Sequence, residues 1–416
     1  MISLIWGFLK IVIILGTLIT IHELGHFTVA KLCKVKVNKF SIGFGPVLFK
    51  KQKGETEYTL RAFPFGGFVQ MEGEEERSEE ERAFNKKSVW QRIAIVAAGA
   101  IVNIAFALIV YFSITSAFGV YISNVVNVLD EGPLYEAGIR PGDKIISINE
   151  DKMLTQREIE NKIADSKDDN FNFVIERKSD TIELNVQIPY QERGNIGVAF
   201  NESGEAIQIL SNGPAYQMGL EPMDRILSVN GIEYTDIESI IEEIRKIKNE
   251  RIELEVQKAE TGEIVILSGD TDVRTERMYE LMCEIIEPGF FDGFVYAIDE
   301  TWYFLTATIK GTAEIFIGKA ENVEVMGPVG IAEEITSTNS IYDFFYLMAA
   351  ISLSLGIFNL LPIPALDGGR ILILAIEGIR RKPLKESVEQ AIILIGFAAI
   401  LVLAIIITVS DVIKIF

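Results

Sequence analysis

The sequence predicts a polytopic α-helical membrane protein with four transmembrane helices, a membrane-associated β-hairpin and two α+β units outside the membrane. Three observations support this class: four long apolar stretches, a strand–glycine turn–strand pattern after the first of them, and a repeat between the second and the third. The chain has 49% hydrophobic and 24% charged residues. It is therefore too apolar for an ordinary soluble enzyme and too charged to lie wholly in lipid.

The four apolar stretches are each long enough to cross a bilayer, which takes about 20 residues of helix. They are residues 2–21, 93–118, 344–361 and 388–409. The first could be mistaken for a secretion signal, but no basic residue precedes Trp6 and no small-residue cleavage site follows. A weaker fifth segment, residues 302–317, contains Lys310 and Glu314 and fits an amphipathic helix at the membrane interface better than a span.

The charged residues predict the orientation and exclude some partners. Lysines and arginines crowd the loop between spans one and two and the loop between spans three and four, which places both loops in the cytoplasm. The acidic middle region, residues 119–300, then faces outward, and the ends of spans one and three reach the same membrane face. The net charge of −20 argues against a nucleic-acid partner. Cys33 and Cys283 are too few for a disulfide framework or a cysteine-rich metal site.

The only two histidines of the chain lie four residues apart in the pentad His22-Glu23-Leu24-Gly25-His26, at the end of the first span. On a helix, residues i and i+4 share a face, so both imidazoles can bind one metal ion while Glu23 accepts a proton from water. This is the spacing of zinc hydrolases. The alternative is a pair of hydrogen-bonded interfacial histidines, but ionisable groups at such depth usually have a function.

Catalytic zinc takes three protein ligands and an open position, and no histidine remains for the third. The best candidate is Asp367, in the segment 359–369 near the end of the third span. Pro362 and Pro364 end the helix there, and Asp367 lies in an apolar setting on the same membrane face as the pentad. The alternative is that Asp367 caps a helix that starts near Arg370.

These two motifs closely resemble the site-2 protease family of intramembrane zinc metalloproteases, in its bacterial regulator-of-sigma-E protease branch. The resemblance implies that His22, His26 and Asp367 bind one Zn²⁺ per chain. It also implies that Glu23 is the catalytic base and that Asn359 contacts the substrate backbone near the catalytic centre.

Other segments extend the likeness over most of the chain. Residues 44–46, 64–69 and 327–332 match family landmarks. Span two departs from the family, whose members often have Gly-Pro-x-x-Asn where this chain has Gly99-Ala-Ile-Val-Asn103. The departure loses a helix kink and keeps the asparagine, so it affects local packing rather than the chemistry.

An internal repeat occupies the outer region, where residues 131–149 align with 212–230 at an offset of 81 positions (212 minus 131). Each copy predicts a short helix, a turn at Pro-x-Asp and a strand that ends at Asn. The units resemble a tandem pair of PDZ domains, which bind peptide C-termini at a sheet edge. Phe118-Gly119-Val120 and Ile196-Gly197-Val198 are the expected peptide-binding loops. The alternative is that one or both units bind no peptide and only pack or gate access.

Residues 58–71 predict a strand, a glycine-rich turn and a second strand soon after the pentad. A substrate helix must unwind before attack, and pairing it with a hairpin edge would satisfy the freed amides. We expect Gly66, Gly67 and Phe68 to provide that edge, with Asn359 assisting. The alternative is a hairpin that only anchors the loop at the interface. The acidic segment 72–82 is expected to be a solvated loop.

The expected organisation has five parts. They are an N-terminal membrane part (1–118), a first PDZ-like domain (119–200), a second PDZ-like domain (201–275), an amphipathic linker (276–340) and a C-terminal membrane part (341–416).

The resemblance implies a cell (inner) membrane protease that cleaves transmembrane segments of single-pass proteins, such as anti-sigma factors or remnant signal peptides. Its PDZ-like domains would be extracytoplasmic and its active site near the cytoplasmic side. The alternatives are a membrane-tethered PDZ scaffold and a metal-handling membrane protein without proteolysis.

Overall fold

The computed structural model describes residues 2–74, 76–129, 132–201, 203–210, 213–234, 236–317, 326–338, 340–382 and 384–415. Two compact units emerge: a membrane unit, residues 1–119 and 287–411, and a sheet unit, mainly residues 120–286. The first residues of the two repeat copies, Glu131 and Asn212, and residues 318–325 of the expected linker lie outside the described residues.

Seven helices are described in the membrane unit, numbered here in chain order with those of the sheet unit. They are α1 (Ile2–Leu32), α2 (Val89–Phe118), α7 (Phe290–Ile317), α8 (Pro328–Ser337), α9 (Ile341–Leu360), α10 (Asp367–Arg380) and α11 (Glu386–Ile415). Four of the described helices are long and apolar enough to cross a membrane, namely α1, α2, α9 and α11. Each of the four expected spans thus coincides with one of these candidate membrane helices. The weaker segment 302–317 is the second half of α7, which packs against α2 and α9.

Helix α2 is the centre of the membrane unit, because α1, α7, α9 and α10 all contact it. At Gly25 of α1, a Cβ atom would lie 2.6 Å from the carbonyl oxygen of Ala98. Only glycine therefore permits this approach of α1 to α2, which agrees with the small residues found where membrane helices pack closely. Buried apolar side chains, including Ile14, Leu18 and Leu353, fill the space between α1, α2 and α9.

The hairpin consists of β1 (Val37–Lys53) and β2 (Thr56–Met71). Its turn lies at residues 53–56, so the expected turn within 58–71 is wrong. Segment 56–71 is one long bent strand, and Phe40 of β1 pairs with both Tyr58 and Val69 of β2. Gly66, with a φ of +115°, provides backbone freedom in the region of the bend. Because its two ends flank the first part of β1, β2 presents residues 67–71 as an edge.

The landmark at residues 327–332 begins helix α8. Its backbone N–H groups of Gly327 and Gly330 donate to the Asp411 carboxylate of α11, at 3.2 and 2.9 Å. At the other end of α8, the Lys10 ammonium of α1 donates to the carbonyls of Thr336 and Thr338. Both charges complement the helix dipole, so α8 ties α1 to α11.

The sheet unit contains short helices and many strands. Its helices are α3 (Pro133–Glu136), α4 (Gln156–Asp165), α5 (Pro214–Met218) and α6 (Ile237–Lys246). Its strands are β3 (Val120–Val128), β4 (Lys144–Ile148), β5 (Asp151–Lys152), β6 (Asn170–Arg177), β7 (Asp180–Gln187), β8 (Tyr190–Asn195), β9 (Val198–Phe200), β10 (Ala206–Ile209), β11 (Arg225–Val229), β12 (Ile232–Glu233), β13 (Arg251–Gln257), β14 (Ile264–Asp270), β15 (Asp272–Arg277) and β16 (Leu281–Ile286). This β content is consistent with PDZ-like domains.

The two copies of the repeat build the same turn. In the first, Asp143 is buried, accepts from the backbone N–H of Arg140 and pairs with Arg177. In the second, Asp224 is buried and pairs with Lys258, the residue 81 positions after Arg177. A short helix and an apolar strand flank each aspartate, as the sequence predicts.

The strand pairing assigns part of the expected linker to the sheet unit. Strand β16 pairs with β3, in a sheet of order β16-β3-β4-β6-β7, and Cys283 of β16 lies in the core beside β3, β4 and β6. Strand β15 pairs with β8. Residues 276–286 therefore belong to the sheet unit rather than to a linker, because β16 completes the sheet that the first copy of the repeat begins.

Candidate metal centre

The two histidines and Asp367 converge on one point of the membrane unit. His22 Nε2 lies 3.1 Å from His26 Nε2. Asp367 Oδ2 lies 3.2 Å from His22 Nε2 and 3.4 Å from His26 Nε2. Two imidazoles on α1 and a carboxylate some 340 residues later thus form a nearly equilateral triangle of donor atoms.

The size of this triangle fits a tetrahedral zinc ion. Ligands about 2.0–2.1 Å from a tetrahedral zinc are separated from one another by about 3.3 Å. The buried Oδ2 atom of Asp367 has no hydrogen-bond partner among the described residues, although two imidazole nitrogens lie close to it. A buried carboxylate oxygen without a donor is costly, and a cation at the centre of the triangle would remove that cost.

Two glycines bring Asp367 into position. Helix α10 begins at Asp367, and a Cβ atom at Gly368 or Gly369 would lie only 2.1 Å from Leu361 O or 2.3 Å from Ile363 O. The first turn of α10 therefore folds tightly against the segment that follows α9. The N-cap residue of α10 is Leu366, without a side-chain capping bond. The alternative that Asp367 caps a helix near Arg370 is therefore wrong.

Helix α2 packs against the imidazole rings of both histidines. The Nδ1 atom of His26 lies 2.9 Å from the carbonyl oxygen of Ile95, to which it donates when Nε2 binds a metal. At Gly99, a Cβ atom would lie 2.4 Å from His26 Nε2 and 2.8 Å from His22 Nε2. Glycine at this position therefore provides the space in which the two imidazoles meet.

A cavity of about 420 Å³ opens beside the triangle. Glu23 lines it together with the three donor residues and residues 67–71 of the β2 edge. A Cβ atom at Gly67 would lie 3.0 Å from Glu23 Cγ, so this edge passes directly against the glutamate. Glu23 and the backbone of this strand edge therefore lie next to each other in the lining of the cavity.

The electrostatics of Asp367 reflect its neighbours. Burial by itself raises the pKa of this carboxyl, but the two imidazoles outweigh burial and hold the pKa well below its ordinary value. This direction favours the carboxylate anion, which is the form that binds a metal ion.

Several residues of the site were missed by the sequence analysis. Gly99 is one, and the polar Asn103 in an apolar span was the available sign that this face of α2 has a role. Arg370 and Glu74 also line the cavity and pair with each other. Glu74 belongs to the acidic segment 72–82, which was expected to be only a solvated loop.

Of the remaining expected substrate-binding residues, two lie away from the cavity and one lines it. Asn359 is in the last turn of α9 and is not among the residues described as lining the cavity, and neither is Gly66, whose close neighbour is the Phe44 ring. Phe68 does line it.

The expected peptide-binding loops are in part already engaged. Phe118 ends α2, Gly119 caps it, and Val120 begins β3 and pairs with Ile286. In the second loop, the Gly197 N–H donates to Asn195 Oδ1. Ile196 is buried and Val198 begins β9. Peptide binding at either loop stays a prediction.

Comparison with known proteins agrees with this geometry. The sequence profile of Peptidase family M50 matches residues 10–403. Regulator of sigma-E protease RseP from Escherichia coli (strain K12) is 30% identical over 443 residues, covering 95% of this chain and 96% of the relative. A relative from Clostridium perfringens whose name includes "zinc metalloprotease" is 30% identical over 401 residues, covering 96% of each chain.

A third relative is RseP from Salmonella typhimurium, 29% identical over 430 residues and covering 94% of each chain. The family profile spans nearly the whole chain, including the pentad, span two and Asp367. The chain therefore belongs to peptidase family M50 and is a site-2-type zinc metalloprotease.

Proposed function

We propose that this protease hydrolyses peptide bonds within transmembrane segments of single-pass membrane proteins, with one Zn²⁺ per chain held by His22, His26 and Asp367. The observation that carries the proposal is the triangle of donor atoms, 3.1–3.4 Å on a side, beside a cavity that also contains Glu23. Its position next to transmembrane helices suits a substrate that arrives from the bilayer.

Glu23 is the proposed proton carrier. When bound, the zinc ion supplies the positive charge that activates water and polarises the scissile carbonyl. Glu23 directly follows His22 in sequence and lines the cavity, so its carboxylate can accept a proton from water and pass it to the leaving amine.

The β2 edge is the proposed binding site for the unwound substrate segment. Residues 67–70 pair with β1 on one side only among the described residues, and their other side borders the cavity. An extended peptide that pairs with this edge would have its freed amides satisfied and its backbone held opposite the donor triangle. The alternative role, an interfacial anchor, is supported by the exposed apolar side chains Phe44, Leu48 and Phe49 farther along the hairpin. We also propose that Asn359 assists when substrate is bound.

The membrane setting and partners follow from the same proposal. From the basic loops we propose that the active site lies near the cytoplasmic side of the inner membrane and that the PDZ-like domains are extracytoplasmic. The substrates would be single-pass proteins already trimmed outside, such as anti-sigma factors, which fits the names of the relatives, or remnant signal peptides. The two PDZ-like domains would bind peptide C-termini or gate access to the protease.

The deciding experiment compares Glu23→Gln with His22→Ala in the purified full-length protein. We expect Glu23→Gln to retain about one zinc per chain and lose cleavage of a transmembrane peptide by roughly 10²–10⁴-fold, because only the proton carrier is removed. His22→Ala should lose both zinc and cleavage. Unchanged cleavage by Glu23→Gln would refute the role of Glu23. Zinc without cleavage in the wild type would favour a metal-handling protein. A wild type with neither zinc nor cleavage would favour a scaffold.

A further inference from the structure

One face of α2 packs against the two histidines that are proposed zinc ligands. Three residues on this face, spaced four apart, lie beside the imidazole rings. Ile95 offers its carbonyl oxygen to His26 Nδ1, and Gly99 leaves room for both rings. Asn103 comes next, and its side-chain Nδ2 atom lies 3.5 Å from His22 Nδ1. Each imidazole thus has its Nδ1 atom near a residue of α2 and its Nε2 atom in the donor triangle.

Asn103 is unusual for a residue in a membrane helix. Its side chain is fully buried, and its Oδ1 atom has no hydrogen-bond partner among the described residues. Its backbone carbonyl accepts a hydrogen bond from the Ser352 hydroxyl at 2.9 Å. A buried amide costs free energy unless its hydrogen bonds are made, so the side chain needs a partner.

The chemistry of the ligand decides which end of the amide faces His22. An imidazole that binds a metal through Nε2 carries its proton on Nδ1, and such an N–H almost always finds an acceptor. With Nδ2 toward the ring, the Asn103 amide offers His22 a donor. The two ends of an amide are nearly indistinguishable in shape and are assigned from the hydrogen-bond network. Exchanging them places Oδ1 toward His22 Nδ1, and the amide still makes one bond to the ring.

We propose that Asn103 is a positioning residue whose Oδ1 atom accepts a hydrogen bond from His22 Nδ1, as the Ile95 carbonyl does from His26. This inference rests on the proposed zinc ligation by His22. Asn103 would fix the proton and the plane of the His22 ring and so hold Nε2 toward the metal.

The test measures zinc affinity of the full-length protein by competition with a chelator. Asn103→Leu keeps the size of the side chain without an acceptor, and we expect its zinc affinity to fall about 10–100-fold. Asn103→Asp keeps an acceptor and should retain an affinity within one order of magnitude of the wild type. Ser352→Ala is the matched control, because it removes the bond to the Asn103 backbone but leaves the amide, and its affinity should stay near that of the wild type.

Selective ¹⁵N labelling of histidine gives a readout on the wild type that needs no variant. Its spectrum is simple, since the chain has only two imidazoles. In the zinc-loaded wild type we expect His22 Nδ1 to carry a slowly exchanging proton. A bare His22 Nδ1, or an Asn103→Leu protein that binds zinc as tightly as Ser352→Ala, would overturn the inference. If the wild type binds no zinc, or keeps it in His22→Ala, the proposed ligation fails instead.

Discussion

The membrane unit and the sheet unit each contain an aspartate with a buried carboxylate oxygen, and the surroundings of these two aspartates differ in one respect. In the sheet unit, Asp224 accepts from the backbone N–H groups of Glu221 and Ala259 and from the Lys258 ammonium. In the membrane unit, Asp367 Oδ2 faces two imidazole nitrogens and has no hydrogen-bond donor among the described residues. A buried carboxylate whose acceptors are all used stabilises a turn, whereas one left open between two imidazoles is ready to bind a cation.

The largest expected effect separates these two aspartates. Asp367→Asn should lower zinc affinity more than about 100-fold and should abolish cleavage. The loss should exceed the roughly 10–100-fold typical when a residue that only hydrogen-bonds to a metal ligand is removed. Asp224→Asn should leave zinc affinity unchanged. Zinc analysis and chelator competition on the two purified variants check this comparison, which fails if Asp367→Asn binds zinc normally.

A second comparison tests the space beside the imidazoles. Gly99→Ala should reduce zinc affinity about 10–100-fold, because its Cβ atom would displace the Nε2 atom of the proposed ligand His26, which lies 2.4 Å away. Gly378→Ala on α10 is the control, since the nearest neighbour of its Cβ atom would be the Val89 side chain at 3.3 Å. Equal zinc affinities in the two variants would show that the rings do not need the space at Gly99.

The third prediction concerns stability within the sheet unit. Asp224→Asn should lower the local free energy of unfolding by about 2 kcal/mol, because it breaks a largely buried ion pair. Asp143→Asn should cost less, since Asp143 accepts from one backbone N–H and its partner Arg177 is 36% exposed. Hydrogen exchange of the amides of β11 and β4 measures both, and a larger loss in Asp143→Asn would contradict the comparison.

The smallest expected effect is the pH dependence of the stabilisation by the Asp224–Lys258 ion pair. Burial raises the pKa of Asp224, but the Lys258 ammonium and the two backbone N–H groups outweigh it, so the pKa lies below its ordinary value. A lowered pKa stabilises the fold above the unfolded value of about 4, and this contribution disappears as the pH falls through the folded pKa. The difference in thermal unfolding between wild type and Asp224→Asn should therefore be constant from about pH 5 to 7 and shrink below about pH 4. A constant difference across the acid range would refute it.

Much of the fold was predictable because its signals are local. The four spans need only length and apolar composition, and both turns of the repeat need only Pro-x-Asp with an apolar strand beyond. The hairpin was predicted with the wrong turn, since the long pairing of β1 with both ends of β2 depends on residues far apart in sequence. The pairing of β16 with β3 was missed for the same reason.

The sequence by itself determined the chemistry available to this protein: two imidazoles four residues apart, one glutamate between them and a carboxylate at the end of a later span. Only the tertiary structure decided that these donors form a triangle of 3.1–3.4 Å and that Gly99 and Asn103 of α2 lie behind the rings. The physical reason is that helix periodicity fixes neighbours within one turn. The distance between α1, α2 and α10 depends instead on how closely their glycines let the backbones approach.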